Sequence, residues 1–160
     1  NPSIKYAADR DGLIDLLAAG ALAGVGTDHA PHPLSEKDRS YAKAPSGFPS
    51  VDLLLPLLVA AHDRFGLPLE RALAAVTRDP AFEFGLARKG RLRTGADADL
   101  VVADPEGRRA VDETALPSRS KWSPYHCWQL RAFPDQVYLR GHLVFADGAV
   151  AAEARGRSLL

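Results

Sequence analysis

Leu22-Ala23-Gly24-Val25-Gly26-Thr27-Asp28-His29-Ala30-Pro31-His32 sets an apolar run directly against an acid and two histidines. A run of that length between glycines reads as a short buried strand, and a polar loop then begins at Thr27. The preceding residues 8–21 read as an amphipathic helix. Leu13, Ile14, Leu16, Leu17 and Ala21 form one stripe, Asp9, Arg10, Asp11 and Asp15 lie opposite, and Gly20 marks the end. Helix, tight link, strand and polar loop is the rhythm of an α/β unit. In α/β barrels the active groups sit on the loops that follow the strands, which is where Asp28 falls. A carboxylate there can ligate a cation and take a proton from metal-bound water. It can equally cap a following turn, with Pro31 only shaping the loop. His32 suits either a metal or an anionic substrate, and His29 suits packing.

Outward from this stretch, residues 33–50 read as a long polar loop punctuated by Pro33, Pro45, Gly47 and Pro49. Within it, Glu36-Lys37-Asp38-Arg39 reads as a solvated stretch. Lys37 or Arg39 becomes functional only if residues 35–44 close over a substrate. Ser50 is expected to cap a helix through about His62, with Val51, Leu54, Leu55 and Leu58 inward and Pro56 near its first turns as a point where it can kink. A second helix is expected from Pro68, with Leu69, Ala72, Leu73 and Val76 buried, and a third turn from Asp79-Pro80 to Gly85. From Gly90 the pattern changes to short strands, Leu100–Val102, Val137–Leu139 and Leu143–Phe145. Arg140-Gly141-His142 is expected to be a tight hairpin turn.

Composition narrows the function classes. Twenty basic residues balance twenty acidic ones in 160, so no basic stripe for nucleic acid or anionic membrane is present. No apolar run is long enough to span a bilayer. A single cysteine, Cys127, excludes an internal disulfide framework and suits a reducing cytosol. The chain opens at Asn1 and contains no methionine, so it is expected to be part of a longer protein. Cys127 has no activating partner in sequence, and Trp122, Tyr125 and Trp128 are expected to pack rather than to bind.

Five segments in order resemble the dihydroorotases of the amidohydrolase superfamily. They are Asn1-Pro2 with Lys5, Thr27–His32, Ala44-Pro45-Ser46-Gly47-Phe48-Pro49, Gly95-Ala96-Asp97-Ala98-Asp99-Leu100-Val101, and Lys121–Tyr125 followed by 137–148. The departures are Ser3 for Pro, Lys5 where Arg is usual, Ser50 where Gly is frequent, and His126-Cys127 after Tyr125.

The resemblance implies that residues 1–89 are the C-terminal portion of a (β/α)8 metal-dependent hydrolase barrel. Residues 90–160 would be a β-rich segment completing a small β-sandwich domain. It implies reversible hydrolysis of the cyclic amide of dihydroorotate to N-carbamoyl-aspartate in pyrimidine biosynthesis, in the cytoplasm. Two Zn2+ ions would serve each complete active site, and most of their ligands lie outside this chain. Asp28 is implied to be both a metal ligand and the proton shuttle. Asn1 and His32 would contact the substrate's carboxylate and ring edge, and Ser46 and Gly47 would offer backbone groups. The family's His-x-His pair, bridging lysine and two further histidines have no counterpart among His62, His126 and His142. The implied partners are the missing N-terminal part of the same protein and a homodimer or aspartate transcarbamoylase complex. The 160 residues alone are expected to be poorly stable and inactive. A hydantoinase- or allantoinase-like cyclic amidase and a non-catalytic scaffold for aspartate transcarbamoylase are the competing readings.

Overall fold

The structure, a computed structural model, describes residues 4–153 and 156–159. Its first half is helical. Helix α1, Ala7–Ala18, stops where Gly20 turns left-handed at φ 74°. One turn of helix, α2, Leu34–Lys37, interrupts the long polar loop. A 3-10 turn at Val51–Leu53 leads into α3, Leu54–Phe65, which ends on Gly66 in the left-handed region. Pro56 lies in the first turn of α3, where its missing N–H has no intrahelical partner to lose, so the helix continues through it. Helices α4, Leu69–Ala74, and α5, Arg78–Glu83, follow.

The second half is β-rich. Strands β1 (Leu100–Ala103), β4 (Pro134–Leu139), β5 (His142–Ala146) and β6 (Ala149–Val150) form one antiparallel sheet in the order β1-β4-β5-β6. Strands β2 (Arg109–Ala110) and β3 (Gln129–Leu130) form a separate pair. The β4–β5 turn places Arg140 and Gly141 at φ 49° and 79°, and the β5–β6 turn places Asp147 and Gly148 at 52° and 74°. Two successive positive φ values are what a two-residue hairpin needs to match strand twist, as the Arg140-Gly141 reading anticipated.

Helix α3 serves two cores because it carries two apolar stripes one residue apart. Leu54, Leu58 and Ala61 face Leu17 of α1 together with Leu67, Ala72 and Ala75. Leu53, Leu57 and Ala60 face Val111 and Leu130. Arg131 adds a two-pronged bond to Asp63 on the same helix, at 2.9 and 2.6 Å. The second core therefore joins residues from both sides of position 90, and this holds the β2–β3 pair against the helices. Burial of each leucine stabilises this junction by about 1.5–3 kcal/mol.

Four local expectations are corrected. Leu73 of α4, expected to be buried, stays 37% exposed. Residues 22–26 form no strand. Their only ladder-like bond runs from the Val25 N–H to the Ala75 carbonyl at 3.0 Å, and Ala23 and Gly24 are exposed. A strand requires neighbours to complete its hydrogen bonds, and the described residues place none beside it. Ser50 does not cap α3. Its hydroxyl instead donates to the Thr27 carbonyl at 3.1 Å, and Val51 is exposed. On α1, Leu13 and Leu16 stay exposed, at 41% and 47%, because only the Ile14–Leu17–Ala18 side meets α4 and its surroundings. No helix among the described residues is long and apolar enough to cross a membrane.

Candidate functional site

The Thr27–Ala30 part of the loop is stapled to the segment 47–51. His29 and Phe48 form an isolated parallel bridge, and the Ala30 N–H donates to the Phe48 carbonyl at 3.2 Å. The Nδ1 of His29 accepts two backbone N–H groups, from Ser50 at 3.0 Å and Val51 at 3.1 Å. That nitrogen therefore carries no proton, and the ring works as a bracket between the two loops. With the Ser50 hydroxyl on Thr27, the backbone on both sides of Asp28 is anchored. The structural role expected for His29 is the one seen.

Asp28 itself is the free point of this framework. Its φ is 46°, a left-handed conformation that aspartate tolerates better than most residues. Its side chain is exposed, and among the described residues no donor engages the carboxylate. The turn-capping alternative is thus not realised.

His32 sits on the far side of Pro31. Its Nδ1 lies 2.8 Å from Glu36 Oε2, one helical turn along, and its carbonyl accepts the Trp122 indole N–H at 2.7 Å. Gly47, at φ 88°, lies against Ala30: a Cβ built on it would stand 2.4 Å from the Ala30 Cβ. Only glycine lets the two backbones approach this closely with that φ. Ser46 is exposed beside it. The structure therefore packs Gly47 on the Asp28–His32 loop and sets Ser46 next to it. Asn1 lies outside the described residues.

Several contributors were not legible as such. Lys37 is not solvated: its ammonium donates to the carbonyls of Pro45 at 2.6 Å and Gly47 at 2.9 Å, and it stands 5.9 Å from the centre of the Trp122 ring. Glu36 is the partner of His32, a pairing that the i, i+4 spacing alone could have suggested. Trp122 and Tyr125 support the site from some 90 residues away. Trp122 holds the His32 carbonyl, and Tyr125 packs edge-on against Phe48, with centroids 6.0 Å apart, and against Trp128 at 5.2 Å. Burial pushes the Tyr125 hydroxyl up from its ordinary value. These aromatics pack as expected, but what they pack is the site loop.

The remaining histidines have local duties. His62 Nδ1 pairs with the Leu67 carbonyl at 2.8 Å, and His126 Nδ1 accepts the Glu113 N–H at 3.5 Å. His142 is the exposed first residue of β5. Cys127 is an exposed free thiol.

Among the described residues no group of three or more His, Cys, Asp or Glu side chains is arranged to hold a metal ion. An exposed carboxylate with no competing donor, on a pinned backbone, fits one ligand of a divalent cation. It does not fit a whole site, which for zinc needs about four ligands.

The match with known proteins runs through this geometry. Residues 3–144 match the model of the amidohydrolase family. A dihydroorotase of Halobacterium salinarum is 38% identical over 159 residues, covering 99% of this chain and 37% of the relative. A dihydroorotase of Methanosarcina acetivorans is 35% identical, again over 99% of this chain and 34% of the relative. The chain thus spans about a third of the length of the curated relatives it matches. Among solved structures, a D-hydantoinase (dihydropyrimidinase) from Thermus sp. superposes with a TM-score of 0.87 at 29% identity, covering 96% of this chain and 34% of its own. An L-hydantoinase (dihydropyrimidinase) from Arthrobacter aurescens gives 0.86 at 30%, covering 95% and 35%. The matched span holds the bracketed Asp28 loop, its Gly47 partner and the aromatic support, and over it the chain belongs to the amidohydrolase family.

Proposed function

We propose that this chain carries the Asp28 side of a dihydroorotase active site. The observation that carries the reading is the Asp28 carboxylate, exposed and unengaged on a backbone anchored at Thr27, His29 and Ala30. The curated relatives named dihydroorotase, matched over nearly the whole chain, support the choice of substrate. Residues 1–89 are read as the C-terminal portion of a (β/α)8 barrel and 90–160 as the β-rich segment of a small β-sandwich domain. The leucines left exposed on α1 and the unpaired segment 22–26 suit a surface that further polypeptide covers.

In this reading the complete site holds two zinc ions, with Asp28 as the ligand from this chain and the others from outside it. Bound zinc supplies Lewis acidity toward the amide carbonyl and acidifies water. Asp28 takes the proton of the attacking water and delivers it to the ring nitrogen as the C–N bond breaks, the ordinary work of a positioned carboxylate. His32, with its Nδ1 held by Glu36, presents its other ring nitrogen to the substrate carboxylate. Asn1 and the backbone at Ser46 and Gly47 complete the contacts to the ring. The protein works in the cytoplasm, in pyrimidine biosynthesis, as a homodimer or beside aspartate transcarbamoylase.

A hydantoinase-like amidase is the second reading, favoured by the superposed hydantoinase structures. The test is turnover of dihydroorotate, hydantoin and allantoin by the complete zinc-loaded protein, with and without His32→Ala. Hydrolysis of dihydroorotate with a KM raised about tenfold or more in the variant is expected for a lost charged hydrogen bond. Turnover of hydantoin or allantoin with none of dihydroorotate would overturn the assignment. Inactivity toward all three with zinc bound would favour the scaffold.

A further inference from the structure

The Lys37 ammonium makes two short bonds to one loop, and peptide geometry gives them a consequence. It holds the carbonyls of Pro45 and Gly47. In a trans peptide the C=O and the N–H of the next residue point in opposite directions. Drawing both carbonyls toward Lys37 therefore turns the N–H groups of Ser46 and Phe48 away from it. The parallel bridge of Phe48 with His29 directs the Phe48 N–H to the Asp28 carbonyl, and among the described residues no acceptor takes the N–H of Ser46. The loop is left with one fixed, unspent donor at Ser46, while its two acceptors are occupied and its Phe48 donor is spent on the Asp28 loop. Its far end is held on the Asp28 loop through Ala30 and His29, and its near end by Lys37. Lys37 is itself placed by α2, the same turn of helix whose Glu36 holds His32, and by the ring of Trp122.

We infer that Lys37 is a positioning residue that sets the polarity of the 45–48 loop. It leaves the Ser46 N–H as the donor for an acceptor group on the substrate, a carboxylate or ring carbonyl, directs the Phe48 N–H to the Asp28 loop, and withdraws carbonyls that would repel such a group. This deepens the reading of the site as a cyclic amide hydrolase and rests on it for the substrate. Lys37 touches no reacting atom. Its removal acts on substrate binding more than on the chemical step.

The test uses Lys37→Met and Lys37→Arg in the complete protein, with steady-state kinetics on dihydroorotate and hydrogen exchange of peptides spanning 28–32 and 44–51. Lys37→Met should raise KM about tenfold or more, the scale of a charged hydrogen bond, with kcat changed less. It should also speed exchange at the bonded amides of Ala30, Ser50 and Val51 severalfold. Lys37→Arg, which keeps the cation, should recover part of both. A merely structural lysine would lower stability without separating KM from kcat. A folded Lys37→Met protein with KM within twofold of the parent overturns the inference. So does unchanged exchange in these peptides, whatever the parent's turnover. If the parent hydrolyses no cyclic amide, the functional reading fails, and exchange in Lys37→Met still decides whether Lys37 clamps the loop.

Discussion

Replacing Gly47 by alanine should damage the site without touching any chemical group. The residue sits at φ 88°, and the added Cβ would stand 2.4 Å from the Cβ of Ala30. Ordinary carbon contacts are about 3.5–4.0 Å, so the two loops must separate by more than an ångström or bear the overlap. Overpacking of this kind costs about 1–3 kcal/mol, and a side chain held at this φ about 1–3 more. The sum, roughly 2–6 kcal/mol, is large beside a typical domain stability of about 5–15 kcal/mol. If the loops yield instead, the Ala30–Phe48 bond and the Lys37–Gly47 bond stretch, and the loss reappears as weaker substrate binding. The assay is denaturant unfolding of the complete protein carrying Gly47→Ala, Ala30→Gly or both. Ala30→Gly removes the obstructing Cβ, so the double variant should be more stable than the sum of the single effects by about 1–3 kcal/mol, leaving only the backbone strain. Gly47→Ala within about 0.5 kcal/mol of the parent would refute the reasoning, as would strict additivity of the pair.

Asp28→Asn should cut kcat by about 10²–10⁴ with unfolding unchanged, because the carboxylate holds no structural bond; steady-state kinetics beside a melting curve checks both halves. His29→Leu should cost about 1–3 kcal/mol for each N–H left without an acceptor at Ser50 and Val51. His29→Asn, with an oxygen near the Nδ1 position, should recover much of that in denaturant unfolding. The Arg131 hydrogen bond holds Asp63 below the usual carboxylate range, and the bonds from Lys89 and Arg88 do the same for Asp97. Their stabilisation is fully present above about pH 4 and is lost as pH falls through the lowered values. Lys89, raised by bonding to Asp99 and Asp97, contributes fully below about pH 10.4 and is lost above its raised value. Thermal unfolding from pH 2 to 7 should therefore fall steeply at the acid end. Arg131→Met should lower Tm at pH 7 and flatten that fall; an unchanged acid slope would show that Asp63 is not linked to folding.

Local grammar was readable from the chain itself. Helix α1 and its stop at Gly20, the start of α4 after Pro68 and the Arg140-Gly141 turn each follow from a residue's own backbone preferences. Asp28 stood out because it follows an apolar run at the start of a loop, the position that active groups take in α/β barrels. Those features depend on neighbours within a few residues, and sequence records such neighbours directly. What Ser50, Lys37 and Trp122 do was settled by partners distant in the chain. A serine before a helix has the chemistry of a cap, but the Thr27 carbonyl, 23 residues back, is what it reaches. A lysine in a polar loop has the chemistry of a solvated charge until the fold sets two carbonyls against it. The run 22–26 has the composition of a strand, yet strand formation belongs to a pair of segments and not to one. Spacing thus singled out the acid and the loop that carries it, and the resemblance of five ordered motifs pointed to the family. Only the tertiary structure decided which side chains hold that loop in place, because hydrogen bonds and close backbone approach are properties of two segments brought together.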